Sequence, residues 1–296
     1  MKRRYAVVDV FTDDTFGGNP LAIVLDAAGL STASMQAIAA EFNYSETSFV
    51  LPPTDPVNTA KLRIFTPKSE MPFAGHPNVG TGFWLARDGQ VFGRPIGDHL
   101  IFEEIAGLVP ITPIRTDGNV VGAVVTAPAK LSVHGDVDPA IIAACLGLDV
   151  GAIRTDLHAP CVASVGAAFT IAQLHDPTAL ARIMVHPAEF ARLPATARDL
   201  YVYAWDPDDA ASGIDIHCRM FAPLDGIAED PATGSANAAL AALIASLRPP
   251  ANLALRIAQG DAMGRPSRLH ASVDATGTVM IGGHCVVIAD GYLLID

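Results

Sequence analysis

The sequence predicts an α+β fold of two pseudo-symmetric domains, on three observations. A strand, a loop, a glycine and a helix recur about half a chain apart. Arg63-Ile-Phe-Thr-Pro67 falls on Arg219-Met-Phe-Ala-Pro223 at an offset of 156 positions, and Gly75 falls on Gly234 at 159, leaving three extra loop residues in the second copy. Segments of period-two alternation are interleaved with segments of helical period, the mixture expected of an α+β chain. The 296 residues, half of them hydrophobic, suffice to bury a full core in each domain. Chance recurrence of two generic strand–helix units is the alternative to a true repeat.

In chain order, RYAVVDVF (4–11) reads as a strand and FGGNP (16–20) as a turn, because glycines and a proline interrupt the ladder. LAIVLD (21–26) returns as a strand. Met35, Ile38, Ala39 and Phe42 then recur at helical spacing, with Ser31 as N-cap and Asn43 as stop. YSETSFVLPP and AKLRIFTP read as strands, and AGHPNVGTGFWLARDG as a helix ending at Gly89, with Pro77 in its first turn. The Thr-Asp-Gly-Asn signal at 116–119 lies near the midpoint and marks the expected crossing between domains. The domains are therefore placed at 1–120 and 121–283, with 284–296 returning to the first. HGDVDPAIIAACLG (134–147) and VHPAEFARL (185–193) look like short amphipathic helices, IDIHCRMFAP like a strand, SANAALAALIASL like a helix, and GGHCVVIADGYLLID like a last pair of strands.

A formal net charge of -12 repels phosphate backbones, so neither nucleic acid nor an anionic membrane surface is an expected partner. Asp9 breaks the apolar run behind the basic N-terminus, which argues against a signal peptide, and no segment reaches the ~18 apolar residues of a membrane span. A cytoplasmic protein is expected. Cys145, Cys161, Cys218 and Cys285 form no CxxC pair and read as buried reduced thiols; the nine histidines include no HxH or HExxH spacing, so no metal site is expected. There is no Walker loop and no GxGxxG behind the first strand.

The stretch IAEDPATGSANAAL (227–240) places two carboxylates and a Thr-Gly-Ser turn directly before a run of alanines and leucines. The first turn of a helix has unpaired N–H groups and a partial positive charge, so Thr233, Gly234 and Ser235 can form an anion-binding mouth on a buried helix. Plain helix capping explains the same residues. The repeat gives Gly75 the matching position before the other helix.

Four segments, VFTDDTFGGNPLAIVLDA, EFNYSETSFVLPP, LRIFTPKSEMPFAGHPNVGT and EDPATGSANAAL, together resemble the phenazine-biosynthesis isomerase family, the PhzF-like proteins, within the diaminopimelate epimerase-like superfamily. The resemblance runs nearly end to end, with the motifs in the expected order. It implies that each domain is a curved mixed β-sheet, or partial barrel, around one central α-helix, that the active site lies between the domains, that no cofactor is used, and that the protein is a homodimer.

The resemblance also assigns roles. The glutamate of the SET segment, Glu46, is the proton-transferring residue, and His76 and Asp230 complete the catalytic set. Gly75, Gly234 and Ser235 hold the substrate carboxylate, and Asn19 is a candidate substrate contact whose alternative is a turn residue before Pro20. Moving a proton between carbons calls for a base with a pKa near neutrality and for donors aimed at developing charge. Two-base racemases of that superfamily carry a cysteine before each helix, at positions corresponding here to Ala74 and Thr233, neither of which is a thiol. The leading expectation is a cofactor-independent isomerase acting on a small carboxylate-bearing molecule. The alternatives are an amino-acid epimerase, racemase or related lyase using Glu46 with His76, and a non-catalytic binding or scaffold module.

Overall fold

The computed structural model describes residues 2–205, 213–248 and 252–295. The chain divides into two compact units, Met1–Pro128 with Ile281–Asp296, and Ala129–Met280. The first runs β1 (Lys2–Val10), β2 (Asn19–Val24), α1 (Thr32–Phe42), β3 (Glu46–Leu51), β4 (Ala60–Phe65), β5 (Glu70–Met71), α2 (Gly75–Asp88), β6 (Gln90–Val91), β7 (Arg94–Pro95), β8 (Leu100–Glu104), β9 (Gly107–Thr116) and β10 (Asn119–Thr126). The second runs β11 (Ser132–Asp136), α3 (Pro139–Leu146), β12 (Ile153–Arg154), β13 (Cys161–Ser164), β14 (Ala168–Leu174), α4 (Pro177–Ala181), β15 (Leu200–Trp205), β16 (Ile216–Ala222), β17 (Ile227–Asp230), α5 (Gly234–Leu247), β18 (Leu253–Gln259) and β19 (Ser267–Val273). Strand β20 (Val279–Leu294) belongs to the first unit from Ile281 onward.

In the first unit the strands close on themselves in the order β1-β2-β3-β4-β8-β9-β10-β20 and back to β1, with β2–β3 and β4–β8 parallel. Helix α2 packs against β1, β2, β3, β9 and β10 and is buried from Gly75 to Ala86. A helix threaded through so narrow a barrel needs missing side chains. A Cβ on Gly80 would lie 2.7 Å from both Leu21 and Val10 methyls, and one on Gly82 would lie 2.5 Å from Ile111 Cγ2. Those glycines are steric requirements of a closely packed interior.

The second unit repeats this construction around α5. Its sheet runs β13-β14-β15-β16-β18-β19, and the parallel pairs β14–β15 and β16–β18 take the places of β2–β3 and β4–β8. α5 is buried from Gly234 to Ala245, which explains its alanines: small residues let a curved sheet approach a central helix on several sides. The repeat extends to individual contacts. Arg63 forms a two-pronged pair with Glu70 and lies 5.0 Å above the Phe65 ring; Arg219 does the same with Glu229 and Phe221, also at 5.0 Å. The extra loop residues of the second copy lie between Phe221 and Glu229 and include the 3-10 turn Pro223–Asp225.

Several local expectations change. Asp117-Gly118 is not a crossing between units but a two-residue hairpin loop joining β9 to β10, with φ of 51° and 80° and Thr116 opposite Asn119. Asp-Gly is the pair that such a turn favours, because both central residues need positive φ. The end of the chain is one strand, not two, bending past β1 through a register shift between Val7 and Val8. Within 134–147 only Pro139–Leu146 is helical, started by Asp138 and stopped by left-handed Gly147, because β11 extends to Asp136. The 185–193 segment folds as a 3-10 turn at Pro187–Arg192. Ser31 and Asn43 cap α1 as expected. Among the described residues no helix is long and apolar enough to cross a membrane.

Candidate active site

In the first unit the strand and helix starts bring Asn19, Glu46 and His76 together. Asn19 opens β2 and Glu46 opens β3, whose parallel pairing sets Glu46 beside Leu21, two residues beyond Asn19. His76 is the second residue of α2. Its Nδ1 lies 3.4 Å from Glu46 Oε2 and 3.3 Å from Asn19 Nδ2, with the imidazole 4% and the carboxylate side chain 14% exposed. Burial pulls His76 down to about 3, so its ring is neutral at physiological pH.

A neutral imidazole has one N–H, and its location depends on the two groups that face Nδ1, the Glu46 carboxyl and the donor Asn19 Nδ2. With the proton on Nδ1, the ring donates to the Glu46 carboxylate. With the proton on Glu46, the carboxyl donates to Nδ1 and the ring N–H moves to Nε2. That atom is buried without a protein partner. In the tautomer whose Nδ1 accepts from Asn19 Nδ2, or from a protonated Glu46, the ring N–H is on Nε2, which is then a donor.

The start of α2 is bare. Ala74 at the N-cap makes no side-chain capping bond, and Asn78 Nδ2 instead holds the Ala74 carbonyl at 2.9 Å. The N–H groups of the first turn, at Gly75 and His76, keep the partial positive charge of the helix end.

The second unit carries the counterpart. Asp230 ends β17 and accepts from Thr233 Oγ1; Thr233 is the N-cap of α5 and makes no capping bond to the helix, leaving Gly234 and Ser235 as its first turn. Asn237 holds the Thr233 carbonyl at 2.9 Å, as Asn78 holds Ala74. Gln259 fixes the rest: its Nε2 donates to the Asp230 carbonyl at 2.8 Å, and its Oε1 accepts from Thr233 N at 3.1 Å and Asn237 Nδ2 at 2.9 Å. Tyr201 donates to Asn237 Oδ1 at 2.6 Å. Each predicted site residue is thus at a helix start or at the adjoining strand end of its own unit.

One acidic residue was not anticipated. Thr47 faces Phe65 across β3–β4 as Leu200 faces Phe221 across β15–β16, so Asp199 occupies the position of Glu46 in the second copy. Burial, then the charges of Asp225 and Asp230, push its carboxyl up to about 7. A carboxyl raised in the folded state stabilises the protein at low pH, and that contribution is lost as pH rises through about 7. The Tm of the wild type should therefore fall between pH 5 and 8, and Asp199→Asn should flatten that fall; parallel curves would contradict the assignment.

The residues just before the two helices, Ala74 and Thr233, offer no thiol. The four cysteines are buried, Cys218 with its Sγ 3.7 Å from Gln259 Oε1 behind the start of α5, and burial pushes Cys145 and Cys161 up to about 11 and Cys218 to about 12. Among the described residues no group of His, Cys, Asp or Glu is arranged to hold a metal ion.

Two curved sheets, each around a helix whose uncapped start meets acid–base side chains, define the class of fold: an α+β protein with two similar halves. The phenazine biosynthesis-like protein family matches residues 8–291, and the chain belongs to that family. It is 38% identical to an uncharacterised isomerase of Mesorhizobium japonicum, over 99% of each chain. It is 34% identical to the trans-2,3-dihydro-3-hydroxyanthranilate isomerase of Pseudomonas aeruginosa, over 97% of this chain and 98% of the relative. Among solved structures, the PhzF-family phenazine biosynthesis protein of Bacillus anthracis superposes with a TM-score of 0.85 at 25% identity, covering all of both chains.

Proposed function

We propose that this protein is a cofactor-independent isomerase that moves a proton within a small carboxylate-bearing substrate, with Glu46 as the group that takes the proton from one carbon and returns it to another. The observation that carries the reading is the 3.4 Å contact of Glu46 with neutral, buried His76 at the uncapped start of α2. An acid–base pair of this kind supplies what a proton shift requires. In this reading His76 orients Glu46 and donates to charge developing on the substrate. Gly75, Gly234 and Ser235 supply N–H and hydroxyl donors to the carboxylate, and Asp230 orients its amino or hydroxyl groups. Asn19 holds the His76 ring.

The relative from Pseudomonas aeruginosa makes trans-2,3-dihydro-3-hydroxyanthranilate the first substrate to try. The test is turnover of that compound, and of a panel of cyclic and acyclic amino acids, by protein dialysed against chelator. Isomerisation without added cofactor supports the reading. Inversion of an amino acid at its α-carbon would replace it with an epimerase, and absence of turnover across the panel, with carboxylates still bound, would replace it with a binding module.

A further inference from the structure

The internal repeat exposes one substitution that the two half-sites do not share. Phe102 sits opposite Ala60 across β4–β8, and Ile257 opposite Ile216 across β16–β18. Ala60 and Ile216 correspond at the repeat offset, so Glu104 in the first unit takes the place of Gln259 in the second. Gln259 is the residue that ties the start of α5 to its strand, donating to the Asp230 carbonyl and accepting from Thr233 N and Asn237. Glu104 lies behind the start of α2 in the same way, with Asn78 as its polar neighbour. Both carboxyl oxygens are buried, and neither makes a hydrogen bond of normal geometry; the Oδ1 atom of Asn78 is likewise buried without a partner.

We infer that Glu104 is a positioning residue for the His76-bearing end of α2 and that it works as an uncharged carboxylic acid, the stand-in for the carboxamide of Gln259. A protonated carboxyl and a carboxamide have nearly the same shape, and each presents an acceptor on one arm and a donor on the other, one O–H in the acid and two N–H in the amide. A carboxylate presents acceptors alone. An ionised Glu104 is a buried carboxylate with the Asn78 amide alone to offset its charge, whereas the protonated acid carries no charge and offers an O–H in place of the Gln259 N–H.

The surroundings agree. Burial pushes the Glu104 carboxyl up to about 8, with the Asn78 amide offsetting a part, and no charged group contributes. The titratable residues of the neighbouring elements are engaged or remote in effect. Glu103 on the same strand accepts from Thr54, Asp55 and Asn58; Arg63 of β4 is paired with Glu70 of β5; Arg115 of β9 pairs with Asp98; His76 of α2 is neutral. Lys61 of β4 is exposed.

This inference deepens the reading of the α2 start as half of an active site, but its first test does not depend on that reading. The Tm of the full chain is measured from pH 5 to 9.5 for wild type and Glu104→Gln. A carboxyl raised in the folded state loses its contribution as pH climbs through about 8. The wild type should fall by roughly 5 °C or more between pH 5 and 8 and level off above that, and Glu104→Gln should lose at most half as much. The reciprocal Gln259→Glu should acquire a steeper fall than the wild type over the same range. In turnover assays the wild type should show an alkaline limb in kcat near pH 8 that Glu104→Gln moves upward, an effect a merely space-filling role would not give. Parallel Tm curves for wild type and Glu104→Gln would overturn the inference, whatever the substrate proves to be.

Discussion

Replacing Glu46 by Gln should reduce turnover by about 10²–10⁴-fold while leaving Tm and circular dichroism close to wild type. The two side chains have the same size, and Glu46 sits at the open start of β3, so the substitution removes a proton acceptor without opening a cavity. Glutamine can still meet His76 Nδ1, which preserves the ring position. What is lost is the exchange of a proton between Glu46 and substrate. Substrate affinity should change little. Steady-state kinetics with the active compound checks this; a fall in kcat of less than tenfold would move the base elsewhere, with Asp199 or Asp230 the next residues to substitute.

The largest effect on stability is expected from Gln259→Leu. Gln259 bonds to Asp230 O, Thr233 N, Asn237 Nδ2 and Thr233 Oγ1, and it is 1% exposed. A leucine there removes the acceptor of the Thr233 N–H and the Nε2 donor to the Asp230 carbonyl in a buried site, at about 1–3 kcal/mol for each lost bond of a buried group. The sum should be roughly 3 kcal/mol or more, read as a lower denaturant midpoint at unchanged slope. The start of α5 should loosen at the same time, so a raised KM is expected together with the lost stability. A Gln259→Leu protein with wild-type stability would mean that water or repacking replaces the network.

Much of this was legible in the chain because it is written locally. Ser31, Asn43 and Gly89 mark helix ends by capping chemistry, and the Arg-x-Phe-x-Pro repeat gave the two-unit plan, later matched by equal guanidinium–phenyl contacts at Arg63 and Arg219. Glu46 and His76 were found through family resemblance, since nothing in their own sequence neighbourhoods distinguishes them from surface residues. Asp117-Gly118 was misread because a turn signal states that the chain reverses, not what lies on either side of it. Asp199, Glu104 and Gln259 were missed because their importance lies in strand register, which a sequence does not display. Asn78 and Asn237 stand three residues after the two corresponding glycines, in GHPN and GSAN, and their equal hold on the preceding carbonyls follows that correspondence.

The most direct measurement is proton NMR of trans-2,3-dihydro-3-hydroxyanthranilate with the enzyme in deuterium oxide, wild type beside Glu46→Gln. The account predicts loss of a carbon-bound proton signal and reprotonation at a second carbon, with deuterium there to the extent that the proton on Glu46 exchanges with solvent, in the wild type and not in the variant. Isomerisation that continues undiminished in Glu46→Gln would contradict it.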